Sequence, residues 1–495
     1  MPNGPDHLPP PAQIVGLFPA NEDWIAAGAT FLISGGVFFH SMSPEVTLET
    51  SGEQVTAAFN LGVASPPGYP VWTFLAWVWC HLVPFGNPAW RVCLMSVLAG
   101  ASLVGMVTLL MTRSVLMLLR AAKWADSVEE SARRRIALAA GSSVALSFGF
   151  DRVVWLWACV PEEKIVNTFM SMLTVFTFFC WMTRPERRGC LYATILIFGL
   201  SLANHQIIVM MLLPFMVGAV CVGLQRVWES DTKGLRVADV LKAMGPFWEV
   251  AVAGLLSAMA VFLFWAWLEF GAYADATRLT WWGLFAGVAG VLWLMAFAKC
   301  GWLSWKRSLT CVACFLLGCG FLSYFPISAS SNPPMNWGYT STKQGFLHHI
   351  TRGQYEKIEI ANPLSRDFVT QVHFFVRSLL QQYSPPLNFK GDHLLGLWSA
   401  VFAFVPALVL IGSWKEFRPQ ARSWLILVWT AFLMTSVVWL VIVNPGLDKQ
   451  NQEINAKFFA EARGFYCMLV GYGFALCLAR LSVAIGAPNR GGGVE

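Results

Sequence analysis

The chain has 495 residues, 56% hydrophobic, 14% aromatic and only 13% charged, with a mean hydropathy of +0.56 and a formal net charge of +6. A soluble domain carries about 25% charged residues, so the charge needed to coat a water-facing surface is missing. With apolar runs recurring from Trp24 to Ala484, this excludes a soluble enzyme, a disulfide scaffold, a disordered chain and a water-exposed nucleic-acid binder, and predicts an all-α, polytopic integral membrane protein.

Residues 1–23 contain several Pro and no Lys or Arg, so they lack the basic region of a secretory signal and read as a cytoplasmic polar tail. A bilayer core about 30 Å thick needs roughly 20 apolar residues per helix. The runs that meet or approach this are 24–41, 92–119, 136–151, 164–183, 189–204, 206–224, 246–269, 281–299, 309–326, 395–413, 424–443 and 464–482. They predict about 12 transmembrane helices. Lys and Arg accumulate in cytoplasmic loops. Placing the basic segments 120–135, 184–189, 225–245, 299–308 and 414–423 inside accounts for most of the 34 Lys and Arg and puts both termini in the cytoplasm.

Segment 69–84 (YPVWTFLAWVWCHLVP) is short and aromatic and reads as a juxtamembrane or re-entrant helix at the outer face. The organisation that follows is a membrane module over 24–326 with a first outer loop at 42–68, an extracytoplasmic loop at 327–394, C-terminal transmembrane helices over 395–483, and a flexible tail at 484–495. Loop 327–394 is too long to be a mere connection. Cys311 and Cys314 form a C-x-x-C inside an apolar run, and they read as small packing residues.

The extracytoplasmic side holds the polar chemistry. Glu45, Glu49 and Glu53 recur at four-residue spacing in the first outer loop. Three carboxylates stacked on one helix face would repel, and Ser51-Gly52 would break such a helix, so a turn that splays them or a cationic ligand that gathers them is expected. Carboxylates at a membrane boundary can serve as general bases. The short turn at 152–163, the hinge at His205, and Arg463 and Lys457 near the last outer turn add charged or polar groups. Trp155, Trp157, Trp281 and Trp282 read as interface anchors.

The run TLETSGEQVTAAFNLGVASPPGYPVW, followed by FGNPAWRVCLMS, resembles the start of a bacterial family of membrane proteins related to the protein O-mannosyltransferases of the GT-C glycosyltransferase superfamily. That family's pattern is an acidic residue, Ser-Gly-Glu, a Gly-Val, then His-Pro-Pro-Gly-Tyr-Pro. WLWACVPEEKIVNTF resembles its Ala-Glu-Val-Tyr-x-Leu-Asn stretch, GLSLANH its Gly-Leu-Ser-x-x-Asn-His, and NPPMNWGY and HITRGQYEK resemble text in some bacterial members. The chain departs at Thr50, where the family often has Asp, at Ser65, where it often has His, and at Lys164, where it has Tyr.

The resemblance implies a GT-C-type transferase that takes a hexose such as mannose from a polyprenyl-phosphate-linked donor. The acceptor would be a hydroxyl of a protein or glycan, and the membrane would be a bacterial inner membrane with the site facing the periplasm. Glu53 is the expected base, with Glu49 as alternative or partner. Lys164, His205 and Arg352 are expected at the donor phosphate, Glu162 to orient a cation, and Tyr69 at the substrate. Beyond the donor substrate no cofactor is expected, although the three loop acids leave a divalent cation open. Membrane lipid is an expected partner and nucleic acid is not. The alternatives are a multi-span transporter, which favours internal repeats and broken helices, and a non-catalytic envelope assembly factor.

Overall fold

The computed structural model describes residues 19–48, 50–229, 244–272, 304–355, 359–380, 404–448 and 457–486, with isolated positions 283, 287, 288, 290, 382 and 401. Among these residues the secondary structure is helical apart from two isolated β-bridges. Eight helices are long and apolar enough to cross a membrane, and a ninth candidate is a pair, Glu130–Gly149 and Arg152–Ala158, bent by 70°.

This is fewer than the twelve spans expected, for identifiable reasons. Span 281–299 lies largely outside the described residues, and so does the first part of 395–413. Span 189–204 is the 17-residue helix Arg188–Asn204, and 136–151 is the bent pair. The aromatic segment 69–84 forms a 13-residue helix, Pro70–Leu82, about 20 Å long at 1.5 Å per residue and so shorter than a bilayer core.

The chain divides into two compact units. The first comprises 41–99 and 157–357, together with the N-terminal 1–11. Its helices include α2 (Ser51–Asn60), α3 (Pro70–Leu82), α7 (Lys164–Thr183), α8 (Arg188–Asn204), α9 (Leu212–Glu229), α10 (Gly245–Ala272), α11 (Trp305–Cys319), α12 (Tyr324–Ser330) and α13 (Lys343–Ile350). Helix α8 packs between α7 and α11. Its contact with α11 is a glycine crossing: a Cβ on Gly199 would lie 2.6 Å from the Phe315 carbonyl, and one on Gly318 would lie 2.6 Å from that of Leu196. Small residues at such a crossing let two backbones meet where no hydrophobic force separates helix from lipid. Cys311 is buried on α11, and both Cys311 and Cys314 are free thiols.

The second unit comprises 12–40, 100–156 and 358–495. It contains most of α1 (Asn21–Ser41), the later part of α4 (Pro88–Ala121), α5 (Glu130–Gly149), the start of α6 (Arg152–Ala158), and the C-terminal helices α15 (Pro419–Leu433) and α17 (Ala460–Gly486), with α14 (Arg366–Leu380) and α16 (Trp439–Val443) between α6 and α17. Several of its buried polar groups are paired. Trp424 Nε1 donates to the Tyr472 hydroxyl at 2.9 Å, which in turn meets Ser114 Oγ at 2.8 Å. Arg113 meets Asp23 at 3.3 Å, and Arg463 meets Asp151 at 2.7 Å. Arg463, one of the charged groups that the sequence offers near the last outer turn, is therefore committed to a buried carboxylate, while the Lys457 side chain lies outside the described residues.

Candidate functional site

The site lies within the first unit, and each part is placed by a local rule. Helix α2 begins at Ser51 with Glu53 in its first turn, where an acid favours the positive end of the helix dipole. Ser51-Gly52 thus starts a helix instead of breaking one. Glu45 stays outside it, exposed, with Asn87 Nδ2 donating to its carboxylate at 3.0 Å. Glu49 lies outside the described residues. Glu45 and Glu53 thus lie on different elements, and among the described residues no group of three or more His, Cys, Asp or Glu is arranged to hold a metal ion.

Helix α2 ends on Leu61 in the left-handed region, and the chain then runs through Pro66-Pro67-Gly68-Tyr69 into α3. Gly68 has φ +81, and a Cβ there would sit 2.5 Å from His349 Nε2 and from Phe325 Cε1, so only glycine fits. Tyr69 is also left-handed, at φ +46, which re-aims its ring before Pro70 opens α3 as a pre-set first helical residue. Asn204, fully buried, accepts the Trp72 N–H at 2.8 Å, one of the donors that a helix start leaves unmet, and donates to Asn167.

Around this turn the expected residues gather. Glu53 Oε1 accepts the Ser65 backbone N–H across the loop. Gln54, the next residue, accepts the Glu163 N–H at 3.0 Å and donates to Thr50 Oγ1 at 3.2 Å, joining α2 to the start of α7. There Glu162, 4% exposed, holds the Lys164 ammonium at 2.5 Å, which offsets a cation at the positive end of α7. The Tyr69 ring stacks on His205 with centroids 5.9 Å apart and planes 10° from parallel. Tyr355 donates to the Pro66 carbonyl at 3.1 Å and lies beneath the Arg352 guanidinium, 5.0 Å from its ring centre. Gln206 donates to the Ile350 carbonyl at 3.0 Å. Glu53, Tyr69, Glu162, Lys164, His205 and Arg352 therefore share one neighbourhood, while Glu45 stands apart from the α2 helix.

Burial sets the electrostatics. His205 accepts the Ile207 N–H through Nδ1 at 3.1 Å, which leaves Nε2 as the protonated, donating nitrogen. Burial, with Arg352 and Lys164 adding to it, pushes His205 down to about 4, so the ring is neutral near pH 7. Burial also raises the Tyr69 phenol well above its ordinary value, with the Glu163 carboxylate it faces as the next cause. Glu163 itself, 2% exposed, is raised to about 6, chiefly by burial.

His349, fully buried beside Phe325 with both ring nitrogens unpartnered, is likewise pushed down to about 4 by burial. The unfolded chain protonates these two histidines near 6.5, so between about 6.5 and about 4 it binds more protons than the folded one, and stability falls as pH falls. Glu163 opposes this between 4.5 and about 6, one group against two. The thermal midpoint is therefore expected to drop between about pH 7 and about pH 5, and His349→Met to flatten that drop; an unchanged slope in the variant would show that His349 is not the source.

Sequence reasoning missed Glu163, Gln54, Asn167 and Tyr355. The resemblance drew attention to Glu162, whereas the paired acids at an apolar boundary were themselves the signal for Glu163. Trp157, read as an interface anchor, is 5% exposed and packed inside, because the bend at Asp151 turns α6 back into protein. Trp155 is half-buried and packs on Phe150; Trp281 and Trp282 lie outside the described residues.

Five of the six gathered residues fall between positions 50 and 228, and that stretch has known relatives. Residues 50–228 match the family described as Protein O-mannosyl-transferase TMEM260 N-terminal domain. Among curated proteins, Protein O-mannosyl-transferase TMEM260 of Mus musculus is 33% identical over 188 residues, which is 37% of this chain and 24% of that protein. Protein O-mannosyl-transferase tmem260 of Dictyostelium discoideum is 24% identical over 230 residues, 43% of this chain and 25% of that one. The chain thus aligns with about a quarter of the length of these TMEM260 relatives. Arg352 lies beyond the TMEM260 match. No solved structure matches the chain.

Proposed function

We propose that the chain is a membrane glycosyltransferase of GT-C type, which moves a hexose such as mannose from a polyprenyl-phosphate carrier to an acceptor hydroxyl on a protein or glycan. The observation that carries this reading is the convergence of Glu53, the Glu162–Lys164 pair, the Tyr69–His205 stack and Arg352 on one loop within a chain of membrane-crossing helices. Its similarity to proteins named O-mannosyl-transferases supports the class. The distribution of Lys and Arg supports a site at the extracytoplasmic face, and the resemblance supports a bacterial-type inner membrane.

In this reading the acceptor oxygen attacks the anomeric carbon, the bond from that carbon to the lipid phosphate oxygen breaks, and polyprenyl phosphate leaves. Glu53 takes the acceptor proton. The Ser65 N–H on Oε1 fixes the plane of its carboxylate and leaves Oε2 to face the substrate. Lys164, Arg352 and the Nε2–H of His205 stabilise the departing phosphate, as charge-assisted donors do where water is excluded.

The test is transfer of mannose from synthetic polyprenyl-phosphate mannose by the purified chain, with release of polyprenyl phosphate followed in parallel. Glu53→Gln is expected to lower the rate about 10²–10⁴-fold, the usual worth of a positioned base. Full transfer by both Glu53→Gln and Glu49→Gln would refute the assignment of the base.

A further inference from the structure

One buried carboxylate in this neighbourhood keeps an oxygen without a partner. Glu163 is 2% exposed, and its Oε2 makes no hydrogen bond. The adjacent charges are already matched, since Glu162 holds Lys164 at 2.5 Å and Gln54 satisfies the backbone N–H of Glu163. A buried carboxylate oxygen without a donor destabilises a fold. Gln54 accepts the main-chain N–H of Glu163, and Gln54 and Tyr69 also interact with its carboxyl, yet Oε2 is left without a hydrogen-bond donor.

The surroundings indicate what donor is missing. Tyr69 lies against Glu163, and its ring is stacked on that of His205. Arg352 and Lys164 are close enough to bias His205, so a lipid phosphate bound by these cations would bring its attached sugar beside Glu163. A carboxylate oxygen next to an aromatic face suits a ring with apolar C–H faces and O–H donors on its rim. The segment Thr351–Tyr355 is exposed except at Arg352 and is joined to the loop before α3 by the Tyr355–Pro66 hydrogen bond.

We propose that Glu163 is the sugar-recognition residue of the site, its Oε2 accepting a hydroxyl of the donor hexose while Tyr69 and His205 face the ring. This rests on the transferase reading and adds to it the group that distinguishes a sugar-loaded carrier from a bare one.

The experiment compares binding of two probes, synthetic polyprenyl-phosphate mannose and polyprenyl phosphate without sugar, to the purified full chain in lipid nanodiscs. The wild type is expected to prefer the loaded lipid, and Glu163→Gln to lose about tenfold in affinity for it, as for a charged hydrogen bond made neutral. Its affinity for the bare lipid should be unchanged. The variant should also melt no lower than the wild type, because an unmatched buried charge has been removed; a merely structural role would lower the midpoint and weaken both probes together. A variant that keeps the wild-type preference for the loaded lipid overturns the role of Glu163 and leaves the transferase reading standing. Failure of the wild type to bind either probe overturns both.

Discussion

Arg463→Ala is expected to destabilise the second unit by about 3–5 kcal/mol, the range for a buried ion pair that loses one partner. Asp151 and Arg463 are 1% and 5% exposed at the side chain and 2.7 Å apart. Asp151 sits at the 70° break between α5 and α6, where its other oxygen accepts the Val153 N–H at 2.9 Å and so starts the new helix. Removing the guanidinium leaves that carboxylate charged in a low-dielectric interior. Replacing both residues, Asp151→Leu with Arg463→Met, should recover most of the loss, since an apolar pair of similar volume carries no desolvation penalty. Thermal unfolding in detergent measures both variants. A single variant as stable as wild type would mean the pair is not what holds the bend.

The second large effect is expected in the first unit. Gly68→Ala should abolish transfer and lower stability by about 2–4 kcal/mol, combining a positive φ with overpacking. The added methyl would meet the His349 ring and Phe325 at 2.5 Å, and neither has room to retreat, because both are fully buried. The turn would open and carry Tyr69 off His205. Gly189→Ala, where a Cβ meets nothing within 4 Å, is the matched control. Gly68→Ala combined with His349→Ala should regain part of the activity by making space. A fully active Gly68→Ala enzyme would show that the Tyr69 turn does not govern the site.

Much of this architecture is legible in the residues. The span 164–183 agrees with α7 to the residue, and segment 69–84 contains α3. Periodicity and length decide such elements locally. Helix α2 was not legible, because Ser51-Gly52 resembles a breaker until Glu53 is recognised as the acid of a first turn. The neighbourhood of Glu53, Lys164 and His205 was approachable through a resemblance, whereas its supports were not. Gln54 bridging to Glu163 and His349 sealing Gly68 are tertiary facts, made by residues far apart in sequence with no pattern to announce them. The free oxygen of Glu163 is visible only once burial and partners are known.

The loop between α2 and α3 is clasped from far down the chain. The Tyr324 hydroxyl donates to the Gly62 carbonyl at 2.7 Å and Ser328 to that of Leu61 at 2.6 Å, while Val63 exchanges main-chain bonds with Met335 and Trp337. These partners are 262 and 267 positions apart for the two side-chain bonds. During biosynthesis the Glu53 loop therefore emerges long before the groups that shape it, and stays uncommitted while many membrane helices are inserted. Closing so long a segment is slow. The geometry around Glu53 is thus completed late, once residues 324–337 have been made.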